Sequence, residues 1–289
     1  MENQPPTRRR FLRKLVGWGA LAGVTGAAGI GLYAWRIEPH WVEEVRRDLP
    51  IAHLPSELEG KHLVQISDLH VGPVVDEAYI AGAVARACAL QPDILAITGD
   101  FMTARGAEQI GKVCRVLQQL RPARLATVAI LGNHDYGAGW RNAAVADELA
   151  DMLSGLGIDV LRNATCDVAG LTIAGLDDFW SPCFNPSGVL ATLQPGRANL
   201  VLCHNPDAAD APIWTGYQGW ILSGHTHGGQ CKPPFLTPPV LPVNNHRYHA
   251  GAIDLCDGRR LYVNRALGYL RRVRFNARPE VTCFRLTRA

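Results

Sequence analysis

The chain has little net charge, few aromatic residues and no dominant residue type. Of 289 residues, 19% are charged and 7% aromatic, and the formal net charge is only +3. So weak a charge leaves no electrostatic footprint for nucleic acid, and no nucleic-acid partner is expected. Glycine (29) and proline (19) are too sparse for a collagen, and an apolar content of 47% is too high for a disordered tail. No Cys-x-x-Cys pair occurs. The eight cysteines (88, 114, 166, 183, 203, 231, 256 and 283) are scattered, as small buried hydrophobes are, rather than grouped as a zinc cluster or a disulfide framework would require. No internal repeat is present. What remains is globular, and the length suits one large domain or two small ones.

The small positive charge is also misplaced. Arg8, Arg9, Arg10, Arg13, Lys14 and Arg36 lie in the first 36 residues beside one acid, Glu2, so that the rest of the chain, with 23 basic and 25 acidic residues, is slightly negative. Thr7-Arg8-Arg9-Arg10-Phe11-Leu12-Arg13-Lys14 precedes an uncharged run from Leu15 to Trp35, the layout of an export signal. The arginine pair followed by Phe-Leu and a further basic residue resembles the twin-arginine signal of bacteria, and the glycines through the apolar run (17, 19, 23, 26, 29 and 31) give it the mild hydrophobicity such signals have. No Ala-x-Ala site follows the run. As a helix it would cover about 31 Å at ~1.5 Å per residue, close to the ~30 Å hydrocarbon thickness. Residues 1–36 are therefore expected to be a twin-arginine-type signal or an uncleaved signal-anchor, met by the twin-arginine export machinery, with the basic end cytoplasmic. The remainder is expected to be associated with the inner membrane on its exported side. Residues 37–59, punctuated by Pro39, Pro50 and Pro55, read as a linker or a first edge strand.

From residue 60 to 289 short apolar runs alternate with amphipathic ones. Strands are expected over His62–Ser67, Asp93–Thr98, Leu125–Leu131, Leu171–Ala174, Leu200–Cys203, Trp220–Ser223, Arg259–Val263 and Val281–Arg285. Helices are expected over Ala78–Leu90, Ala107–Leu120 and Ala143–Ser154. Alternation of this kind predicts an α/β layered domain, and in such sheets function gathers beyond the carboxyl ends of the strands.

Five of those strand ends carry the unusual residues. They are Asp68-Leu69-His70, Gly99-Asp100, Gly132-Asn133-His134-Asp135, Cys203-His204-Asn205 and Gly224-His225-Thr226-His227-Gly228-Gly229-Gln230. Any one block has an ordinary reading as a turn or a satisfied polar residue; five at five strand ends do not. Taken in order, D-x-H, G-D, G-N-H-D, H and G-H-x-H resemble the calcineurin-like metallophosphoesterases over roughly residues 60–289. The resemblance implies an α/β/β/α sandwich of two mixed sheets, here preceded by one hydrophobic helix. It implies two divalent metal ions, with Asp68, His70 and His227 on one, Asn133, His204 and His225 on the other, and Asp100 bridging. Mixed oxygen and imidazole ligands suit manganese first, with iron or zinc as alternatives. The implied reaction is phosphoester hydrolysis by a metal-bridging hydroxide, with His134 as general acid and Asp135 orienting its ring. Asp135 also has a plain reading as a turn residue. Gly99, Gly132 and Gly224 would let backbone approach the metals closely.

The leader and the Gly224–Gln230 block together resemble an exported or membrane-linked bacterial phosphodiesterase branch, which includes hydrolases of UDP-2,3-diacylglucosamine in lipid A biosynthesis. Two apolar, proline-studded segments, 179–184 and 232–239, read either as ordinary packing or as a greasy lip for acyl chains or a bilayer surface. The arginines at 271, 272, 274, 278, 285 and 288 read as a solvated face or as headgroup contacts. An exported domain would not meet a cytoplasmic nucleotide-lipid, so an exported phosphomonoesterase of broad specificity stays open as an alternative. A non-catalytic metal-binding scaffold is disfavoured by the intact set of blocks.

Overall fold

The computed structural model describes residues 8–103 and 107–289; of the leader, residues 1–7, with Glu2 and Thr7, lie outside the described residues. The apolar run is a single helix, α1 (Arg8–Leu32), and its glycines meet nothing within 4 Å. It ends in one wide turn over Tyr33–Ile37 and one tight turn over Glu38–His40, which join it to the body.

Twelve strands follow, in two six-stranded sheets. The first part of the chain supplies β1 (Glu43–Ile51), β2 (His62–Ile66), α2 (Glu77–Ala89), β3 (Ile94–Thr98), α3 (Ile110–Leu117), β4 (Ala126–Ile130), α4 (Ala143–Gly155) and β5 (Asp159–Val160). The second part supplies β6 (Ala164–Val168), β7 (Leu171–Gly175), α5 (Pro186–Leu190), β8 (Ala198–Leu202), β9 (Gly219–Ser223), β10 (Gly251–Asp254), β11 (Arg259–Val263) and β12 (Glu280–Arg288). One sheet runs β1-β12-β2-β3-β4-β5 and the other β10-β11-β9-β8-β7-β6. Both are mixed: β2 to β5 are parallel and β12 is antiparallel to β2, while β11, β9, β8 and β7 are parallel between the antiparallel β10 and β6.

Successive side chains of a strand point to opposite faces, and here both faces are apolar, as strands buried on two sides must be. Leu63, Ile94, Ala96, Val128 and Ile130 meet Leu171, Ile173, Leu200, Leu202 and Leu222 in a core between the sheets. The alternate residues Val64, Ile66, Leu95, Ile97 and Ala129 pack under α2, α3 and α4. On the second sheet Ala174, Val201, Ile221, Leu261 and Val263 pack outward under Trp214, Tyr217 and Val189 of α5. The layers are α/β/β/α, the second helical layer being thin.

The segment read as linker or edge strand contains β1, the outermost strand of the first sheet, paired in parallel with β12 over nine residues from Glu43↔Glu280 to Ile51↔Arg288. Strands β5, β6 and β10 were not expected. The β6–β7 hairpin turns through Ala169 (φ 49°) and Gly170 (φ 87°), both left-handed, as the two-residue turn of a hairpin needs. Alanine is a poor signal for that conformation, and β6 has mostly exposed side chains, so neither its turn nor its apolar pattern advertised it.

Candidate metal centre

All five blocks arrive at one place. In the first sheet the loops after β2, β3 and β4 carry Asp68 and His70, Asp100, and Asn133 with His134. In the second, those after β8 and β9 carry His204, and His225 with His227. Pairing continues past the strand ends and fixes these loops: Asp68 N–H donates to Gly99 O at 2.9 Å and His70 N–H to Asp100 O at 3.0 Å. Asp68, His70, Asp100, Asn133, His204, His225 and His227 are all buried, whereas His134 is half-buried.

Donor atoms of Asp68, His70 and His227 lie within 4.8 Å of one another, and so do those of Asp100, His204 and His225, and of His70, Asp100 and His134. His70 Nε2 is 2.9 Å from His227 Nε2, and His227 Nε2 is 3.3 Å from Asp68 Oδ1. Asp100 Oδ2 lies between the two halves, 3.5 Å from His70 Nε2 and 3.2 Å from His204 Nε2. That is the position expected of a bridging carboxylate. The remaining bonds set the tautomers. His204 Nδ1 donates to Thr98 O at 2.7 Å and His225 Nε2 to Pro242 O at 3.0 Å, which turns His225 Nδ1 to the cluster as a lone-pair donor and makes Nε2 the ligating nitrogen of His204 once its proton is displaced.

The backbone supports the same reading. Asp68 (φ 53°), His70 (48°), Asp100 (55°), His225 (71°) and His227 (53°) all sit in the left-handed region. This costs free energy and is held only where surrounding structure enforces it. The three glycines expected to make room do so: a Cβ on Gly99 would lie 2.6 Å from Gly132 N and 2.8 Å from His204 Nδ1. A Cβ on Gly132 would lie 2.2 Å from Asp100 Oδ1, and one on Gly224 1.9 Å from Ser67 Oγ and 2.3 Å from Asp68 Oδ2.

The residues fit divalent cations. Among the described residues, Asn133 Oδ1 and Nδ2 and His204 Nε2 are buried without a hydrogen-bond partner, a costly state for polar atoms unless a ligand takes them. Burial works against charge on Asp68 and Asp100, but the rings of His204 and His227 beside Asp68, and of His204 and His134 beside Asp100, outweigh it and hold both carboxyls below their usual range. Burial keeps His70 and His225 neutral, the latter pushed down to about 3. His204 is the exception. Burial opposes its charge, yet Asp100 and Asp68 raise its pKa well above the usual imidazole range.

Asp135 is buried beside the cluster. Its Oδ1 accepts Met102 N–H at 3.2 Å and its Oδ2 accepts Gly132 N–H at 2.9 Å, so its observed bonds brace the loop that presents Asn133 and His134. His134 N–H in turn donates to Asp100 Oδ1 at 2.9 Å. Two neighbours, Asp178 and Trp140, were missed from sequence, whereas Trp180 belongs to the 179–184 segment read above as packing or a greasy lip. Asp178, in the loop after β7, is buried, with Oδ1 accepting Trp180 N–H at 2.8 Å and Oδ2 unpartnered; burial pushes its pKa up to about 7. Trp140 and Trp180 stack with ring centroids 5.2 Å apart, Trp140 lying 5.7 Å from His134 and Trp180 4.6 Å from His225. The four rings form an arc beside the cluster. Asp178 lies beyond a sixth strand end, where the rule that located the other five blocks applies equally.

The two apolar segments part ways. Phe179 and Phe184 pack against the outer core of the second sheet, whereas Phe235, Leu236 and Val240 stand in solvent. The arginines are mostly spent internally. Arg274 is fully buried on the carbonyls of Arg265, Gly268 and Ala277, Arg278 lies over the Trp41 ring, and Arg285 pairs with Asp48.

Residues 61–229 match the family described as calcineurin-like phosphoesterase. The metallophosphoesterase YkuE of Bacillus subtilis is 31% identical over 290 residues, covering 97% of both chains. The phosphodiesterase YaeI of Escherichia coli is 31% identical over 287 residues, covering 97% of this chain and 99% of its own. The UDP-2,3-diacylglucosamine pyrophosphatase LpxG of Chlamydia muridarum is 26% identical over 322 residues, covering 92% of this chain and 97% of its own.

Proposed function

The chain belongs to the calcineurin-like phosphoesterase family and is a hydrolase of phosphoester bonds, and from that premise we propose that it is a membrane-anchored phosphodiesterase using two divalent cations, manganese first among them, on a lipid-linked phosphodiester or pyrophosphate such as UDP-2,3-diacylglucosamine. The observation that carries the reading is the convergence of seven buried donor side chains from five strand ends, with both amide atoms of Asn133 and the Nε2 of His204 lacking a hydrogen-bond partner.

We assign Asp68, His70 and His227 to one ion, Asn133, His204 and His225 to the other, and Asp100 to both. Bound there, divalent cations supply positive charge against the phosphoryl oxygens and make water acidic enough to attack near neutral pH. The protein's own contribution is positioning and a proton. His134 is the half-buried imidazole beside an otherwise buried set, its ring centroid 4.8 Å from that of His70, and its main chain is held by Asp100. It stands where it can deliver a proton to the departing oxygen. Asp135 keeps the His134 loop closed against Gly132 and Met102. Trp140 and Trp180 wall the side between His134 and His225 with apolar surface, which suits a substrate carrying an apolar or aromatic group next to the phosphate.

Localisation follows from α1. Val16–His40 is long and apolar enough to cross a membrane, and its most apolar stretch is exposed, while Ala34 and Glu38 near its end are buried against the body. We take it as an uncleaved anchor delivered by the twin-arginine machinery, with the hydrolase domain on the exported side.

The test is a substrate panel on the purified full chain with manganese: a bis-aryl phosphate, an aryl monophosphate and UDP-2,3-diacylglucosamine, each with and without chelator. Hydrolysis of the diester and the lipid pyrophosphate, abolished by chelator, is expected. Turnover of the monoester alone would overturn the diesterase assignment, and chelator-resistant turnover would overturn the metal centre.

A further inference from the structure

The loop after the His227 turn leaves the body and returns to it, exposing an apolar crest on the way. Phe235 is 104% exposed, Leu236 64% and Val240 76%. Pro233, Pro234, Pro238 and Pro239 stiffen the crest by fixing φ, so holding these side chains out sacrifices little chain entropy. Both ends of the loop are tied to the metal centre: it starts two residues beyond His227, and on its return Pro242 O accepts the His225 ring.

The crest stands at the foot of α1. A groove of about 730 Å³ is lined by Phe235 and Leu236 on one side and by Tyr33 and Glu38 on the other. Tyr33 is the residue that follows α1. The foot is fastened to the body, because Arg274 N–H donates to Ala34 O at 2.9 Å and Ala277 N–H to Glu38 Oε1 at 2.6 Å. The crest loop is fastened to the same segment, through Lys232 N–H to Phe275 O at 2.8 Å and Phe275 N–H to Gln230 O at 2.8 Å. Helix foot, crest and the 270–275 strip are thus one hydrogen-bonded unit, and the exposed Leu270 and Arg271 belong to it.

We propose that the 233–240 crest is an interfacial membrane anchor, with Phe235 and Leu236 seated in the bilayer at headgroup depth beside the exit of α1. The proposal rests on the reading of α1 as a membrane span. A helix crossing the bilayer places its foot at the interface, and whatever is rigidly joined to that foot shares its depth. Exposed aliphatic and aromatic side chains there exchange water contact for lipid, a favourable transfer. Lys232 and Arg271 flank the crest with positive charge suited to lipid phosphates. A bilayer is favoured over a second copy of the chain because the crest shares its groove with Tyr33, the residue that follows the exposed α1. The consequence is a metal centre whose His225 side is carried close to the membrane surface.

The experiment uses the full chain in vesicles of phosphatidylethanolamine and phosphatidylglycerol, with a photoreactive residue at one of two positions. Phe235→p-benzoylphenylalanine tests the crest. Leu125→p-benzoylphenylalanine, at an exposed position by the amino end of β4, is the control. Illumination is expected to add the mass of one phospholipid at position 235 and none at 125. A cross-link from 235 to a second copy, or no lipid adduct while the protein resists extraction by alkaline carbonate, overturns the crest alone. Release by carbonate overturns the α1 span and the crest with it. Turnover of a soluble bis-aryl phosphate by the same vesicles reports separately on the phosphodiesterase reading.

Discussion

The two ends of the β-sandwich differ more than its two sheets do. Beyond the carboxyl ends of β2, β3, β4, β8 and β9 lie the metal-ligand candidates, packed so closely that donor atoms sit within 4.8 Å of one another. At the opposite end a groove of about 690 Å³ opens between the end of β1 and the starts of β8, β9 and β11. It is roomy, and its charged side chains are Arg197, Arg260 and Arg288, with no Asp or Glu among the described lining residues. Five of the seven candidate ligands at the first end have left-handed backbone; among the non-glycine residues lining the groove only His53 does. A roomy hollow is therefore no guide by itself. Strain, unpartnered buried atoms and opposed buried charges distinguish the end to which the chemistry is assigned.

The contrast is broken or sharpened by substitutions at each end. Asp100→Ala removes the carboxylate shared by both halves, and should lose metal, read by elemental analysis, together with more activity than the ~10,000-fold upper range for loss of a general acid. Retained metal with near-native turnover would end the bridging assignment. His134→Ala should keep its metal content and lose ~100- to 10,000-fold in turnover, with the smaller loss on diesters whose leaving group needs no proton. A mutant that turns over unactivated diesters at the native rate removes His134 from the proton-donor role.

Metal binding should itself be pH-dependent, and the sign follows from His204. In metal-free protein Asp100 and Asp68 raise its pKa, so the ring carries a proton at neutral pH that a cation must displace. His70 and His225 are already neutral and release none. Affinity should rise with pH by up to about tenfold per unit for the one proton, and titration calorimetry in buffers of different ionisation enthalpy should register its release. Proton uptake, or none, would contradict the charge balance described. The smallest effect belongs to the far groove. Arg260→Ala, which removes a cation stacked on Trp220, should leave metal and turnover unchanged and shift stability by about 0.5 kcal/mol or less. A large loss of activity there would erase the distinction between the two ends.

The parts legible in the sequence were those where chemistry and strand pattern coincide. Asp68, Asp100, Asn133, His204 and His225 each follow an apolar run too short to be a helix, so the rule that sheets present function at their carboxyl ends located them. Asp178 follows the same rule after β7 and was passed over because Asp177-Asp178 contains no imidazole and looks like a polar turn. Trp140 had no signal. It comes after two tight turns at φ 61°, and no periodicity links it to Trp180, whose partner it is only in three dimensions. The fate of the late arginines was illegible for a similar reason: Arg274 and Arg271 have the same local composition, but one is buried against four carbonyls and the other faces solvent. Position in a packed layer decides that.

The sheet order also has a consequence for when the molecule comes into being. Strand β12 lies between β1 and β2, so the first sheet stays open until residues 280–288 have been synthesised, long after Asp68, Asp100 and Asn133 have emerged from the ribosome. Until then β1 has no partner strand to hold the foot of α1 in register. The hydrolase half and the helix that carries it are thereby completed in a single late event. A chain interrupted before that strand would present an exposed sheet edge and an unfastened apolar helix to the cell's quality control.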